Sequence, residues 1–344
     1  MLPKELGFRM PAEWENRART FMEWPVREGL WPDGFEDARK GYSQIAKAIA
    51  EFEDLIMLTR PDQVLNAQKM CGEKVKIFAI EHDDSWMRDN GPTFVINKNK
   101  ELAGINWKFN AWGEKYIPYD KDNEVAKKVL NSLNIPSFDA PIVLEGGSIH
   151  VDGEGTLLTT KQCLLNKNRN PELSKSDIEN ILKDYLAIEK IIWLNNGLYG
   201  DETDGHVDNV ACFAKPGVIV IQTCTDKNDP NYELNLENLK ILENAVDAKG
   251  RKIQIVKIEQ PPARYLNGER LTLSYLNYYP VNGGIIVPTF GEDAKASDKA
   301  ALDTLQKIYP DRKIVPVDGM PIIKGGGNVH CITQQMPFGT PANF

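Results

Sequence analysis

Residues 148–194 read SIHVDGEGTLLTTKQCLLNKNRNPELSKSDIENILKDYLAIEKIIWL, and this stretch holds one full copy of the chain's repeating unit. Two short apolar runs flank the turn residues 152–155 and predict a β-hairpin. Apolar residues at helical spacing then predict a helix that begins at a capping serine, and a last apolar run predicts a buried strand. These four elements are predicted at Ser148–Val151, Leu157–Thr160, Ser174–Leu186 and Lys190–Leu194.

The same order of elements recurs along the chain. The candidate functional residues share its rhythm, because Trp24, Asp89, Glu145, His206 and Cys331 lie 65, 56, 61 and 125 residues apart. A unit of about 60 residues cannot bury its own faces and must stack on neighbours, in an array or a closed ring. Five units fit, and a two-domain open α/β protein is the alternative. The other copies are predicted at 35–80, 93–144, 206–258 and 273–316.

Composition limits the class of protein. Of the 344 residues, 42% are hydrophobic, and no apolar run approaches the roughly 20 residues of a membrane helix, so we expect a soluble protein. Residues Met1–Met10 show no secretory signal, which predicts a cytoplasmic location. The net charge of −8 argues against nucleic acid and favours cationic ligands. Five widely spaced cysteines without a Cys-x-x-Cys pair are interpreted as reduced thiols.

The stretch Lys324–Gln335, KGGGNVHCITQQ, carries the candidate nucleophile Cys331. Its three consecutive glycines let a ligand approach the main chain closely, and an apolar strand predicted over Met320–Ile323 leads into them. Such a loop would present an accessible thiol at the mouth of a sheet. The alternative is a buried structural thiol, which is the usual state of a free cysteine.

Two further stretches offer carboxylates and an aromatic ring. The turn DDSWMRDNGP (83–92) contains Asp89, which suits a cationic ligand, and Trp86, which suits a cation–π contact. The alternative for Asp89 is a local bond within a solvated turn. Glu145 ends an apolar strand beside two glycines, where a buried carboxylate needs a cation or a histidine as partner. The alternative for Glu145 is an edge residue in a tight turn.

The stretch DETDGHVDN (201–209) opens another predicted strand, in which alternation puts His206 and Asp208 on the same face. The pair could act as one catalytic unit, or it could join His150 and Asp152 as ligands of a metal. No His-x-x-x-His or Cys-x-x-Cys spacing supports the metal. The other predictions are a surface or turn position for His82 and for His150, and an extended segment in which His330 points away from the thiol.

Together these candidates supply a thiol, an imidazole, several carboxylates and a tryptophan. A cysteine and a histidine alone suit acyl transfer, but carboxylates would repel the negative charge of that transition state. They suit a cation, and a guanidinium is planar, permanently charged and able to donate two hydrogen bonds to a carboxylate. A guanidinium held by two acids is electrophilic at carbon, and its charge lowers the pKa of the attacking cysteine. We therefore predict a small cationic guanidine as the ligand.

At these residues the chain resembles the agmatine deiminases, also known as bacterial-type peptidylarginine deiminases, of the guanidino-group-modifying superfamily. The resemblance implies an α/β fold, a five-bladed α/β propeller (pentein) in a single domain over residues 1–344. It implies hydrolysis of agmatine to N-carbamoylputrescine and ammonia without cofactor or metal, and it suggests a homodimer. The motifs that carry it are MPAEW (10–14), WP (24–25), DSWMRDNGP (84–92), FNAWG (109–113), LEGGS (144–148), GHVDN (205–209) and GGGNVHC (325–331).

The resemblance also assigns roles by position. Cys331 attacks the guanidinium carbon while Asp89 and Asp208 hold its nitrogens. His206 protonates the departing ammonia and then acts as base toward the water that cleaves the covalent thiouronium adduct. Glu145 orients and charges His206.

Three more residues are assigned to substrate binding: Trp86 as pocket lining, Glu202 as partner of the far ammonium of agmatine, and Asp204. Asp204 stands where many members have asparagine, and residues 31–33 (Trp-Pro-Asp) replace Asp-Asn-Trp, so both departures bear on the identity of the substrate. Free or peptidyl arginine is the alternative substrate, and a free carboxylate would need an arginine or lysine at the far end. A non-catalytic ribosome-binding propeller and a zinc hydrolase are alternatives from other classes.

Overall fold

The computed structural model describes residues 1–344, and it shows a mixed α/β fold. Five larger sheets succeed one another along the chain, and in each an antiparallel strand pair is extended by a parallel strand, or by two in the first sheet. A sixth sheet is the small hairpin of Tyr265–Leu266 and Glu269–Arg270, and Thr340–Pro341 adds a short parallel strand to the second sheet. The strands are Gln334–Pro337, Arg17–Glu23, Asp54–Thr59 and Val75–Ala79 in the first sheet; Thr93–Ile96, Glu101–Lys108 and Ser137–Val143 in the second; Ile149–Val151, Thr156–Thr160 and Lys190–Leu194 in the third; Ala211–Lys215, Val218–Thr223 and Gln254–Glu259 in the fourth; and Tyr279–Val281, Gly284–Thr289 and Lys313–Asp318 in the fifth.

In each of the five larger sheets, one helix joins the second strand of the antiparallel pair to the parallel strand that follows it. The first of these helices buries an apolar face that includes Tyr42, Ile45 and Ile49. The fourth differs, because it buries three asparagines beside two leucines. The predicted serine cap is confirmed, because Ser174 Oγ accepts a hydrogen bond from the Asp177 N–H at 3.2 Å. These helices are Phe35–Ala50, Val125–Ser132, Lys175–Leu186, Asn231–Glu243 and Lys295–Ile308, and the shorter ones are Val64–Cys71, Met87–Asn90, Ala111–Glu114, Lys161–Leu164 and Met320–Ile323.

The C-terminal strand Gln334–Pro337 completes the first sheet. It pairs antiparallel with Arg17–Glu23, so that Thr20 lies opposite Gln335 and Phe21 lies opposite Gln334. Segments from near the two ends of the chain therefore pair in one sheet. The segment before Gln334 leads into its sheet in the same way as the segments that precede the first strands of the other sheets.

Three predicted strands are wrong in detail. Residues Met320–Ile323 form a helical turn, which Pro321 favours in its first turn. The strand predicted over 273–279 is irregular until Tyr279, because Ser274 Oγ accepts the Leu276 N–H and bends the chain. The strand predicted from His206 begins only at Ala211, after a 3₁₀ turn.

Apolar side chains fill the space between sheets and helices. The largest buried cluster contains Trp24, Trp86 and Trp112 and extends to Cys331, so the candidate nucleophile is anchored against the core. All five cysteines are free thiols, as predicted. None of the helices has the length and apolar character needed to cross a lipid bilayer.

Replacing Met336 with Ala tests how firmly the C-terminal strand is docked. Met336 is buried among Phe21, Ile56 and Leu58, so its truncation should lower the free energy of unfolding by about 2–5 kcal/mol. Phe338→Ala is the matched control: this ring is 56% exposed and its loss should change stability by no more than about 0.5 kcal/mol. Urea unfolding of both variants measures these changes. Equal small losses of stability would contradict firm packing of the C-terminal strand against the first sheet.

Candidate active site

Each of the five sheets is entered through a tight segment that carries a polar side chain toward one common site. The segment stands directly before the first strand of its sheet in every case. Because equivalent ends of the repeated units meet, residues far apart in sequence become neighbours. These side chains are Asp89, Glu145, His206 with Asp208, Asn277 and Cys331.

Gly147 shows how closely these side chains meet. A Cβ atom at this position would lie 2.6 Å from His206 Nδ1, 2.9 Å from Asp89 Oδ1 and 3.0 Å from Asp208 Oδ2. Only glycine leaves room for this convergence. Its own N–H donates to Asp89 Oδ1 at 2.9 Å, so the glycine backbone also orients the carboxylate.

Cys331 lies at the bottom of this site, not at an accessible loop tip as predicted. The residue is 5% exposed, because the chain around it turns and packs on the largest apolar cluster. Asn277 Nδ2 donates to the sulfur at 3.2 Å, and Asp208 Oδ2 lies 3.5 Å from it. Burial raises the pKa of the Cys331 thiol, and the charges of Asp208 and Asp89 raise it further. The thiol is therefore protonated while the site is empty.

His206 lies between two carboxylates and is fully buried. Its Nδ1 is 3.8 Å from Asp89 Oδ1 and its Nε2 is 3.8 Å from Glu145 Oε2, and neither nitrogen has a hydrogen-bond partner. Burial lowers the pKa of this imidazole, but Asp89, the adjacent Cys163 and Glu145 together raise it well above its ordinary value. His206 is accordingly an imidazolium, ready to donate a proton.

The sequence analysis did not identify Cys163, which lies beside His206, or Arg169, which contacts Glu145. The ligand atoms of Glu145, Cys163 and His206 lie within 4.8 Å of one another, a donor set of a kind that binds zinc. Arg169 Nε, however, donates to Glu145 Oε1 at 2.6 Å and already supplies the positive charge there. The alternative metal set of His206 and Asp208 with His150 and Asp152 is not found, because His150 is grouped with Glu13 and His330.

Asp89 and Asp208 are buried carboxylates on either side of the sulfur. Trp112 Nε1 donates a hydrogen bond to Asp89 Oδ2 at 2.9 Å, which orients that carboxylate. Burial raises the pKa of Asp89, His206 lowers it and Asp208 raises it again, so that the pKa lies above its ordinary value. Asp208 differs: burial raises its pKa, but the hydrogen bond and charge of His330 lower it below the ordinary value.

A narrow cavity extends from Cys331 toward the surface. Trp86 forms one wall, stacked on Trp31 with ring centroids 6.0 Å apart and planes at 25°. Glu202 stands at the other end, where its Oε2 accepts a hydrogen bond from the Tyr116 hydroxyl at 2.6 Å. The lining residues are Leu30, Trp86, Asp89, Trp112, Tyr116, Glu202, Thr203, Gly325, Gly326, Gly327 and Cys331.

All three glycines of the Cys331 loop are required by close contacts. A Cβ on Gly327 would lie 2.5 Å from the Trp86 ring and 2.9 Å from the Cβ of Cys331. A Cβ on Gly325 would meet the Trp31 ring, and a Cβ on Gly326 would collide with Glu202 Oε1. Gly326 also has φ +106°, which is strained for any residue with a side chain. The glycines therefore allow the aromatic wall and the Glu202 carboxylate to approach the loop backbone closely, as the sequence predicted for a ligand.

Asp204 does not line the cavity, contrary to its assignment to the substrate. Its carboxylate accepts hydrogen bonds from Arg169 Nη1 at 2.8 Å, Lys115 Nζ at 2.8 Å and Asn168 Nδ2 at 2.9 Å. Both oxygens are thus occupied, and Asp204 supports Arg169, which in turn holds Glu145.

The three remaining histidines are buried, contrary to their predicted positions. His82 hydrogen-bonds the backbone carbonyls of Ile80 and Trp24, both at 2.9 Å, and therefore fixes the chain. His150 lies against Glu13, with 3.7 Å between Nε2 and Oε2. His330 does not point away from the site, because its segment forms a turn instead of a strand, and its Nδ1 lies 2.9 Å from Asp208 Oδ2.

The geometry defines a class: an enzyme site in which a buried thiol, an imidazolium and carboxylates meet at one narrow cavity. The model of the Porphyromonas-type peptidyl-arginine deiminase family matches residues 9–337. A relative from Legionella pneumophila (strain Paris) is 48% identical over 337 residues and covers 97% of each chain. An agmatine deiminase from Pseudomonas aeruginosa (strain LESB58) is 45% identical over 359 aligned positions, also covering 97% of each chain. A structure titled agmatine deiminase of Enterococcus faecalis catalyzing its reaction is 39% identical, with a TM-score of 0.94 and 98% of both chains covered.

The chain belongs to the Porphyromonas-type peptidyl-arginine deiminase family. The resemblance predicted from its motifs is thereby confirmed. This family is enzymatic, and its agmatine deiminase members are hydrolases that act on C–N bonds.

The electrostatics of the empty site predict a thiol that resists ionisation. Because burial and two carboxylates disfavour the thiolate, Cys331 should titrate above the value of about 8.5 that a free thiol has. The ultraviolet absorbance of the thiolate, measured against pH in the folded wild-type protein and in Cys331→Ala, isolates this group by difference. A midpoint below that of a free thiol would contradict the burial argument.

Proposed function

We propose that this protein hydrolyses the guanidinium of agmatine to N-carbamoylputrescine and ammonia. The observation that carries the proposal is a narrow cavity with acids at both ends: Asp89 beside Cys331 at the inner end, and Glu202 at the outer end. A linear dication with a guanidinium and an ammonium matches both ends. The family membership and the agmatine deiminase relatives support the same substrate.

In the first step the guanidinium binds between Asp89 and Asp208, with its carbon facing the sulfur. The bound cation offsets the two carboxylate charges, so the Cys331 thiol can release its proton to solvent and become a thiolate. The thiolate forms a bond to the guanidinium carbon. His206, charged by Asp89 and Glu145, then gives its proton to one nitrogen, and the C–N bond breaks to release ammonia.

In the second step a water molecule attacks the thiouronium carbon. His206 is now neutral and takes a proton from that water, which forms the new C–O bond. The C–S bond breaks and returns the electron pair to Cys331, leaving the ureido product. Glu145, fixed by Arg169, stabilises the imidazolium that forms again.

The finer architecture is also part of this proposal. Five sheets with one strand pattern, each entered through a segment of the common site, support a five-bladed α/β propeller around that site. The C-terminal strand in the first sheet supports closure of the ring. The single domain over 1–344, the homodimer and the cytoplasmic location stay predictions from the sequence.

Ammonia release from three substrates tests the proposed reaction. Metal-free wild-type protein should act on agmatine and not on free arginine or an arginine-containing peptide. Cys331→Ala should abolish turnover, because no other group lies in place to attack the carbon, whereas Cys71→Ala, in a helix away from the cavity, should retain it. Activity on arginine or the peptide would replace the substrate and keep the chemistry. Silence on all three would favour a non-catalytic role.

The role of Glu202 is tested by removing its charge and the matching charge of the substrate. Burial raises the pKa of Glu202 and the Tyr116 hydrogen bond lowers it in part, so a bound ammonium would hold it ionised. Glu202→Gln should raise KM for agmatine by about 10- to 100-fold, as the loss of a charged hydrogen bond predicts. Butylguanidine, which lacks the ammonium, should be affected far less.

Glu28→Gln is the control for this experiment. Glu28 is exposed in the wider groove outside the cavity. The KM of the Glu28→Gln variant for agmatine should remain within about twofold of wild type, because exposed charges contribute little. Equal losses for agmatine and butylguanidine in the Glu202 variant would contradict the assignment.

A further inference from the structure

A chain of buried polar groups runs from the N-terminal segment to the nucleophile, and the proposed steps do not use its first two members. Glu13 belongs to the MPAEW motif, and its Oε1 lies 2.8 Å from His330 Nε2. The other ring nitrogen, Nδ1, lies 2.9 Å from Asp208 Oδ2. Cys331 Sγ is 3.5 Å from the same oxygen. All four side chains are buried.

The two carboxylate partners of His330 favour a doubly protonated ring. Both ring nitrogens face a carboxylate oxygen at hydrogen-bond distance, and a neutral imidazole has only one N–H to donate. The neutral ring would place a nitrogen lone pair against one of the two oxygens. Burial and the charge of Arg88 lower the pKa of His330, but Glu13 and Asp208 outweigh them and raise it.

Asp208 depends on this ring for its charge. Its Oδ1 is buried without a hydrogen-bond partner, and its Oδ2 receives only His330 and the weakly donating thiol. An ionised carboxylate in that position is costly unless a cation pairs with it. The charged or titratable groups that face the His330–Asp208 pair are Glu13, Arg88, Asp89, His150, Asp201, His206, Cys212, Tyr279 and Cys331.

Glu13 in turn fixes the ring. Its Oε1 also lies 3.3 Å from Arg88 Nη1, and its Oε2 lies 3.7 Å from His150 Nε2, so the carboxylate is itself held by cationic and imidazole groups. Burial raises the pKa of Glu13, but His330, Arg88 and His150 lower it well below its ordinary value. Glu13 therefore remains ionised and can keep the His330 proton in place.

We propose that His330 is a positioning residue which, as an imidazolium fixed by Glu13, keeps Asp208 ionised and oriented beside Cys331. This inference rests on the proposed hydrolysis of agmatine, in which the ionised Asp208 holds a guanidinium nitrogen. Asp89 and Asp208 must both lose their protons before they can bind the cation, so the acid limb of the kcat/KM profile reports whichever of the two has the higher pKa. In the wild-type protein that acid is Asp89, whose pKa is raised while that of Asp208 is lowered. His330 thus keeps Asp208 from becoming the acid that limits activity at low pH.

His330→Gln tests the proposal through the pH profile. Without the cation the pKa of Asp208 rises, because its depressed value depends on His330, so the acid limb of kcat/KM for agmatine should move about one pH unit or more to higher pH. KM should rise most at the acid end. The matched control is His82→Gln, which removes a buried histidine bonded only to backbone carbonyls and should leave the acid limb in place. A uniform loss at every pH in the His330 variant would overturn the proposal.

A double variant tests whether Glu13 acts through the ring. Glu13→Gln should move the acid limb in the same direction, because the imidazolium loses its carboxylate partner. In the His330→Gln background the same change should add no further movement, since nothing remains for Glu13 to fix. Additive shifts of the acid limb would show that Glu13 acts on the site independently of His330, and would contradict the proposed order of contacts from Glu13 through His330 to Asp208.

Nuclear magnetic resonance of the ring nitrogens tests the charge without any turnover. The protein has four histidines, so the His330 signals can be assigned by comparison with His330→Gln. In Cys331→Ala protein, at neutral pH, both His330 nitrogens should carry protons. A neutral ring would overturn the proposal even if the variants fold poorly. If wild-type protein leaves agmatine intact, the proposed function fails, while this measurement still decides the charge of His330.

Discussion

The burial of several carboxylates around one imidazole is the constraint on which the rest of this structure depends. An ionised carboxylate taken out of water costs several kcal/mol unless a cation or donors compensate it. The chain compensates Glu145 with Arg169, Asp208 with His330, and Asp89 in part with His206 and the Trp112 indole. The compensation is incomplete, because Asp208 Oδ1 and Glu145 Oε2 lack hydrogen bonds. A site left in this state favours a cation that brings its own donors.

The repeated sheets explain how such a site can be held together. Each sheet fixes one short segment by its first strand, and the side chain of that segment needs no flexible loop to reach the centre. Partners that tune the charges come from other places: Glu13 from the N-terminal segment, Arg169 from the connection after Lys161–Leu164, and Trp112 from a left-handed turn. The framework thus sets positions, and the connections set the electrostatics.

Much of this could be predicted from the sequence because it is local. The strands Asp54–Thr59 and Lys190–Leu194 lie where their apolar runs placed them. The motif rhythm predicted that Asp89, Glu145, His206 and Cys331 meet, but Trp24, its first member, lies in the apolar core. His206 and Asp208 did converge, but through a 3₁₀ turn and not through strand alternation. Asn277 was missed although the doubled spacing between His206 and Cys331 left a vacant place for one residue. Glu13 and Arg169 could not be found, since their importance arises from contacts between distant segments.

The same charges that bind the cation also restrain the thiol. With the cavity empty, Asp89 and Asp208 keep Cys331 protonated, and a thiol is far less nucleophilic than a thiolate. In the proposed reaction a guanidinium held by the two carboxylates reverses this effect, because its charge favours the negative sulfur. A neutral or anionic molecule of the same size could enter without producing the nucleophile. On this proposal, selectivity for a guanidinium follows from the activation of the sulfur as much as from binding, and the protonated resting thiol is less open to oxidation.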